Sequence, residues 1–511
     1  MDIKIGGYPL DDEQRQIATT KDKEVLVVAG AGSGKTFTIL GRIWYLIYIE
    51  KVKPEEILCI SYTKDASNSL KNKLLKEFNI DMNVYTFHKL ALNILKSNNI
   101  HFKIASPDTL ELIIEEYLRI DILEYPEQLK YLRFILKINW HNQEEYLKLL
   151  DERKEEIEKF IKVVATFIRL YKCNGKKIDF FQETFKSISK NIFKKIDSYY
   201  LLIIFNIYMK YKYYLEENRE YDFDDLITEA TKVLENNKYI KNFKYIIIDE
   251  YQDSSYIRFN LIKRIVDINK AYFMAVGDDF QSIYKFSGSD IGLFLNFREY
   301  FKNGITLKIQ TTYRNSQELV DIAGDFIMQN KKQIKKKMKS NIHIDKPIKV
   351  VYYDDKVQDF YRLCLYLRRN NKCNILVLGR NNNDIKGYLG KEITLLDDKR
   401  LVMEDSEEMK INYMTMHRSK GLEGDDIIIV NLKDDTFGFP SQIEQDKILN
   451  YIRKDTKKDF LDEERRLFYV GLTRTKKNVY LFVPIKRPST FIKELLKNYK
   501  NKIEVIKTPY K

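Results

Sequence analysis

AGAGSGKT, Ala29 to Thr36, stands between the apolar run VLVV (Val25 to Val28) and a helix-like stretch. Strand, glycine-rich turn and helix in that order make a P-loop. Gly30, Gly32 and Gly34 let the backbone fold back so that N–H groups from Ala29 through Ala31, Ser33 and on to Thr36 face one anion. Lys35 is placed to reach β- and γ-phosphates, and the Thr36 hydroxyl to ligate Mg²⁺. Ala29 holds the position of the first motif glycine. The loop announces a nucleotide phosphate and leaves open what its hydrolysis drives.

The 511 residues exceed one ordinary core, and the prior is about three domains. Lys and Arg outnumber Asp and Glu, 88 to 74, for a net charge of +14. That favours a polyanionic partner. The densest basic run, KKQIKKKMK (Lys331 to Lys339), reads as a solvated helix face. Cys59, Cys173, Cys364 and Cys373 show neither metal spacing nor a disulfide framework, which suits a reducing cytoplasm. The N-terminal stretch carries no signal-peptide core. The most apolar segment, YYLLIIFNIYM (Tyr199 to Met209), is too short to span a bilayer and reads as a buried helix.

Short β-branched runs punctuate both ends of the chain: VLVVAG, ILCISY (Ile57 to Tyr62), YIIIDE (Tyr245 to Glu250) and AYFMAVGD (Ala271 to Asp278). Runs apolar throughout suit parallel strands buried on both faces. A second set runs GITLKIQ (Gly304 to Gln310), IKVVYY, NILVLGR, MKINYMTMH, DIIIVNL and NVYLFVP. Between about 89 and 220 the chain is strand-poor and rich in Lys, Glu, Tyr and Leu. The expected fold is α/β: two parallel-sheet domains with a helical insertion in the first. The segments are 1–88 and 221–303 for the first domain, 89–220 for the insertion and 304–511 for the second domain.

YIIIDE ends a strand in two carboxylates. Asp249 can hold Mg²⁺, and Glu250 can orient and deprotonate an attacking water. AVGDDFQSIYKFSG (Ala275 to Gly288) repeats the layout and puts Gln281 where it can sense a γ-phosphate. Tyr284 and Phe286, flanking Lys285, can stack bases and touch phosphate, or can pack under the sheet.

These strings resemble a superfamily 1 DNA helicase of the UvrD/Rep/PcrA type. LDDEQRQI (Leu10 to Ile17) resembles its Q-motif, SYTKDASNSL and YTFHKLA its next two motifs, and DFDDLI the return from the insertion. DEYQDSS and VGDDFQSIYKFSG resemble motifs II and III, and TTYRNSQELV motif IV. MTMHRSKGLEGDDIIIV and EERRLFYVGLTRTKKNVYL resemble motifs V and VI.

The resemblance implies two RecA-like domains with ATP and Mg²⁺ in the cleft between them. The first would supply Lys35, Thr36, Asp249, Glu250 and Gln281. The second would close Arg314 and Arg474 onto the γ-phosphate as arginine fingers. Gln14 would read adenine, Tyr313 would stack on it and Glu423 would meet the ribose. Tyr62, His88, Tyr284, Phe286 and His417 would contact single-stranded DNA. Ser287 replaces a usual Arg, Lys64-Asp65 a usual Asn-Lys, and Gly424 a usual Phe.

The family places a large second accessory subdomain between motifs IV and V, whereas about 381–410 is all that remains for it here. That insert is expected to be vestigial. The implied activity is an ATP-driven 3′ to 5′ helicase and translocase, acting on single strands and duplex junctions in the cytoplasm, with no membrane. The alternative is a nucleotide-gated DNA-binding ATPase subunit whose partner protein belongs to a repair or defence complex.

Overall fold

The computed structural model describes residues 3–189, 194–236, 241–370, 374–403, 406–443, 446–453 and 456–507. The first sheet comprises β1 (Glu24–Ala29), β2 (Ile57–Ile60), β3 (Val84–Tyr85), β4 (Tyr245–Ile248), β5 (Tyr272–Gly277) and β6 (Ile305–Ile309). The six strands are parallel, in the order β6-β1-β5-β4-β2-β3. Alternation explains why they are apolar throughout. Leu26, Val28, Leu58, Ile60, Ile246 and Ile248 join the core on one face. Val25, Val27, Ile57, Cys59 and Ile247 join the core on the other. A strand covered on both sides has no solvent face on which to place a polar residue.

The second sheet comprises β7 (Ile348–Tyr353), β8 (Ile375–Gly379), β9 (Ile393–Leu395), β10 (Arg400–Met403), β11 (Ser406–Thr415), β12 (Asp426–Ile429), β13 (Val479–Pro484) and β14 (Glu504–Ile506). Its order is β9-β10-β11-β8-β12-β13-β7-β14. Among the described residues the antiparallel pairings of this sheet are β9–β10 and β10–β11. The α/β class with two parallel-sheet domains is thus as expected.

Two expectations need correction. GITLKIQ does not open the second domain. As β6 it pairs with β1, from Ile305 opposite Val25 to Ile309 opposite Ala29, so the first domain runs past 303. Nor is KKQIKKKMK a solvated helix face. The segment is turn and extended chain, the Lys336 side chain is fully buried and Met338 is buried.

The described residues of the interval 381–410 form a sheet edge. A short 3₁₀ helix (Asp384–Tyr388) leads into the β9–β10 hairpin. Ile393, Leu401 and Met403 bury into one core with Phe360, Val377 and Ile411.

The insertion contains the helices Thr109–Arg119, Pro126–Leu136, Gln143–Glu152, Lys154–Cys173, Asp179–Ser189 and Lys195–Asn218. The last includes YYLLIIFNIYM and buries Tyr200, Leu201, Ile203, Ile204 and Ile207. A two-strand parallel clasp, Lys103–Ile104 on Glu220–Tyr221, closes its base. Asp222 then caps the helix Phe223–Glu235 through a capping box. Lys172 of the insertion bridges Asp222 and Asp225 at 2.5 and 2.8 Å, which ties insertion to core. Among the described residues no helix is long and apolar enough to cross a membrane. Cys59, Cys173 and Cys364 are buried free thiols, and Cys373 lies outside the described residues.

Candidate nucleotide cleft and aromatic groove

β1, β4 and β5 all end at one edge of the first sheet, the place where parallel α/β sheets bind ligands. The P-loop follows β1 and feeds the helix Lys35–Tyr48. Gly32 and Gly34 have φ of +70° and +79°. A Cβ on Gly32 would collide with Thr312 and Arg314, and one on Gly34 with Gln14. That helix start has no side-chain cap, so its first N–H groups face the cleft unclaimed by a side chain. The cleft measures about 490 Å³, and Lys35, Thr36, Glu250, Gln281, Arg314 and Arg474 line it. Residues from both halves of the chain are therefore brought together.

Lys35 Nζ lies 2.7 Å from Glu250 Oε1. Glu250 has φ +53°, a left-handed conformation for a non-glycine residue at the turn where a catalytic base is expected. Its Oε2 accepts from Gln252 Nε2 at 2.5 Å and sits 3.4 Å from Lys420 Nζ. Burial opposes ionisation of Glu250, but Lys35 and Lys420 outweigh it and hold the carboxyl far below the usual range. Asp249 moves the other way, pushed up by burial and then by the Glu250 charge. Asp249, a buried carboxylate at the end of β4, and the Thr36 hydroxyl, on the cleft wall, are oxygen donors of the kind a phosphate-bound divalent cation would take. Asp249 and Thr36 would hold it.

The second half of the site meets the first directly. Gln281 Nε2 donates to Asp278 Oδ2 at 2.6 Å, and Gln281 Oε1 accepts from Arg474 Nη2 at 3.1 Å. Arg474 is fully buried and also donates to the Val470 carbonyl at 3.0 Å. Burial, then the neighbouring Arg314, lower its pKa to about 10. Arg314 pairs with Glu423 at 2.9 Å, and Glu423 also takes Lys476 at 2.7 Å. Glu423 thus anchors Arg314, an ion pair that stands beside its expected ribose role.

Gln14 is buried and committed at both ends. Its amide donates to the Ser33 carbonyl at 3.1 Å and accepts from Asp11 N–H at 3.2 Å. It buttresses the P-loop. Tyr313 is half-exposed beside it, donating to Asp11 at 2.6 Å.

Four of the five aromatic residues assigned to DNA form one row. Tyr62 stacks on Tyr284 at 6.2 Å, and Tyr284 meets Phe286 at 6.0 Å and His417 at 6.4 Å. Phe286 and His417 stand edge to face at 5.4 Å, with Phe286 47% exposed. His88 pairs instead with Phe223 at 5.1 Å. Burial, then a nearby arginine (Arg258 and Arg380 respectively), lowers the pKa of His88 and His417 to about 4. Both rings are neutral at pH 7, which suits stacking.

Sequence reading missed three residues here. Lys420 of motif V donates to the Gln281 carbonyl at 2.8 Å, pairs with Asp253 and lies 5.2 Å from the Tyr284 ring centroid. One buried ammonium thus touches Glu250 and Asp253 on one side and the aromatic row on the other. Arg258 bonds the Tyr62 hydroxyl and covers its ring at 4.9 Å. Phe223, half-exposed against His88, sits inside DFDDLI, whose aromatic was the available signal.

The departures also find places. Ser287 only caps its own turn, bonding the Tyr284 carbonyl at 2.9 Å, while Arg453 from another segment reaches the Phe286 carbonyl at 3.2 Å. Gly424 N–H bonds the Arg474 carbonyl at 3.0 Å, and a Cβ there would press on Leu376 at 3.0 Å.

With this geometry in view, comparison with known proteins is specific. Residues 10–302 match the UvrD/REP helicase N-terminal domain, and residues 388–484 the UvrD-like helicase C-terminal domain. The chain is 30% identical over 510 residues to DNA helicase IV of Escherichia coli, covering 97% of this chain and 71% of that protein. It is 27% identical over 516 residues to a probable DNA helicase of Mycoplasma pneumoniae, covering 96% and 87%. It is 27% identical over 352 residues to the ATP-dependent DNA helicase PcrA of Bacillus subtilis, covering 67% of this chain and 42% of that protein. A P-loop joined across a cleft to two arginines, and family models that match both halves of the chain, lead to one conclusion: this chain belongs to the UvrD/REP helicase family.

Proposed function

We propose that the chain is an ATP-dependent DNA helicase and single-stranded DNA translocase, moving 3′ to 5′ and using Mg²⁺. The observation that carries this reading is the bond from Arg474 to Gln281. It ties the second domain to the γ-phosphate sensor of the first, so hydrolysis and domain closure are linked.

Lys35 is paired with Glu250. The triphosphate offers Lys35 a stronger anionic partner, and Glu250 is then released to take a proton from water. Arg314 and Arg474 neutralise charge on the transferred phosphoryl group. Thr36 and Asp249 would hold Mg²⁺, which would supply Lewis-acid stabilisation of the phosphates. Lys420 senses the state of Glu250 and bears on Tyr284, so base stacking changes as the cleft opens and closes.

The proposed substrate is single-stranded DNA and its duplex junctions, met in the cytoplasm, and a partner protein in repair or defence is consistent with the family. With 381–410 spent on a sheet edge, the motor should lack the family's second accessory subdomain and translocate on single strands as a monomer. Grip on a duplex then falls to the helical insertion.

The test is unwinding of duplexes with 3′ or 5′ tails, with translocation on single strands measured in parallel. Unwinding from a 3′ tail supports the reading. ATP turnover indifferent to DNA, with no strand movement, overturns it in favour of a nucleotide-gated subunit.

A further inference from the structure

We propose that Lys336, in the basic run, is a positioning residue of the hydrolytic site that acts through Asp278 on Gln281 and Arg474. The inference rests on the ATPase reading above and concerns a residue outside every quoted motif.

The run forms a strap between the two domains. Lys308 Nζ donates to the Lys335 carbonyl at 2.8 Å, and Gln310 Nε2 to the Lys337 carbonyl at 2.9 Å. Lys339 N–H bonds the Gln310 carbonyl at 2.7 Å, and Thr312 N–H bonds the Lys339 carbonyl at 2.8 Å. Met338 fills the space that a Cβ on Gly30 of the P-loop would need.

Within the strap, Lys336 Nζ lies 2.5 Å from Asp278 Oδ1, 2.7 Å from Asp279 Oδ1 and 3.2 Å from the carbonyl of Ala29, the last residue of β1. It also sits 3.8 Å from the Phe280 ring centroid. The three oxygens match the three donors of an ammonium. The side chains of Lys336, Asp278 and Asp279 are wholly buried. Burial works against the charge on Lys336, but the two carboxylates outweigh it and hold the ammonium above its ordinary value.

The consequence runs along Asp278. Its Oδ1 is taken by Lys336 and by Phe280 N–H at 3.1 Å, which fixes the carboxylate plane and points Oδ2 at the Gln281 amide nitrogen. A carboxylate only accepts, so Gln281 must turn its nitrogen toward Asp278. Its oxygen then faces Arg474, which only donates. Asp279 is braced in turn by Ile334 N–H at 2.8 Å and Gln333 Nε2 at 3.2 Å, both from the strap. A cation that served only to neutralise two buried acids would not set the face that Gln281 presents to the finger arginine.

The experiment is a double-mutant cycle on DNA-stimulated ATP turnover, with binding of a fluorescent ATP analogue and thermal melting read on the same samples. Lys336→Met should lower kcat at least about tenfold, with analogue affinity within about threefold of wild type. In a Gln281→Ala background the same change should cost less than about twofold, because the path it acts through is already gone. Should Lys336→Met fail to fold, Lys336→Met/Asp279→Asn, which keeps the net charge, takes its place in the cycle. Unchanged turnover, or equal fold losses in both backgrounds, overturns the relay while leaving the ATPase reading intact. A wild-type protein without ATP turnover overturns both.

Discussion

Lys35 Nζ and Glu250 Oε1 stand 2.7 Å apart, so the candidate phosphate-binding cation and the candidate base form an ion pair across the cleft. Each is the other's partner. Nucleotide must part them, and the two side chains therefore report different steps. Lys35→Ala should abolish ATP turnover, since it leaves the β- and γ-phosphates without their cation. Glu250→Gln should bind nucleotide at least as well as wild type and lose turnover by about 10² to 10⁴. Analogue binding and single-turnover phosphate release separate the two. Turnover above a tenth of wild type in Glu250→Gln would refute the assignment of the base.

Arg474 and Arg314 should each be worth about 10³ or more in kcat, with little change in nucleotide affinity. Arg474 is the stricter case. It is buried and holds Gln281 as well as the cleft wall, so Arg474→Lys should not rescue it: an ammonium cannot reach Val470 and Gln281 together. Steady-state ATPase at saturating DNA checks both positions.

Phe286 is the most exposed ring of the row, and its removal should act on DNA alone. Phe286→Ala should weaken single-strand affinity by about 1–3 kcal/mol and slow translocation while basal ATP turnover persists. Affinity should also fall steeply with salt, in keeping with the net charge of +14. Fluorescence anisotropy across a salt series measures both effects.

Lys420 touches Glu250 and the Tyr284 ring, so it should carry coupling rather than affinity. Lys420→Met should bring DNA-stimulated turnover down toward the basal rate while single-strand affinity stays within a few-fold. Equal loss of both would make it an ordinary DNA contact.

His88 and His417 have folded pKa values near 4 against about 6.5 for a free imidazole. A depressed histidine binds its proton more readily in the unfolded chain. Each therefore contributes stability that is complete above about pH 6.5 and is lost as pH falls toward 4, by up to roughly 3 kcal/mol each. Denaturant melts between pH 7 and 4.5 should steepen in this window, and the His88→Gln/His417→Gln protein should show a shallower slope. Between pH 7 and 8 neither ring titrates, so neither should contribute pH dependence to DNA affinity there.

What the sequence determined by itself was local chemistry. A glycine-rich turn after a buried strand, two acids at a strand end and a glutamine after another are short-range patterns that can be read without knowing what faces them. Lys35, Asp249, Glu250 and Gln281 were legible for that reason, and Arg314 and Arg474 through motifs of the same kind.

Tertiary structure decided what those residues face. GITLKIQ has the composition of any partly covered parallel strand, and nothing within it says which sheet supplies its partner; β1 does. The run KKQIKKKMK looks solvated because lysines usually are, yet Lys336 is buried where two distant acids and a strand-end carbonyl converge. Lys420 and Arg258 were equally silent in the sequence. The role of a buried cation is set by the carboxylates and rings that folding brings within reach, and for these three the hydrogen-bonded side-chain partners lie at least 57 residues away along the chain.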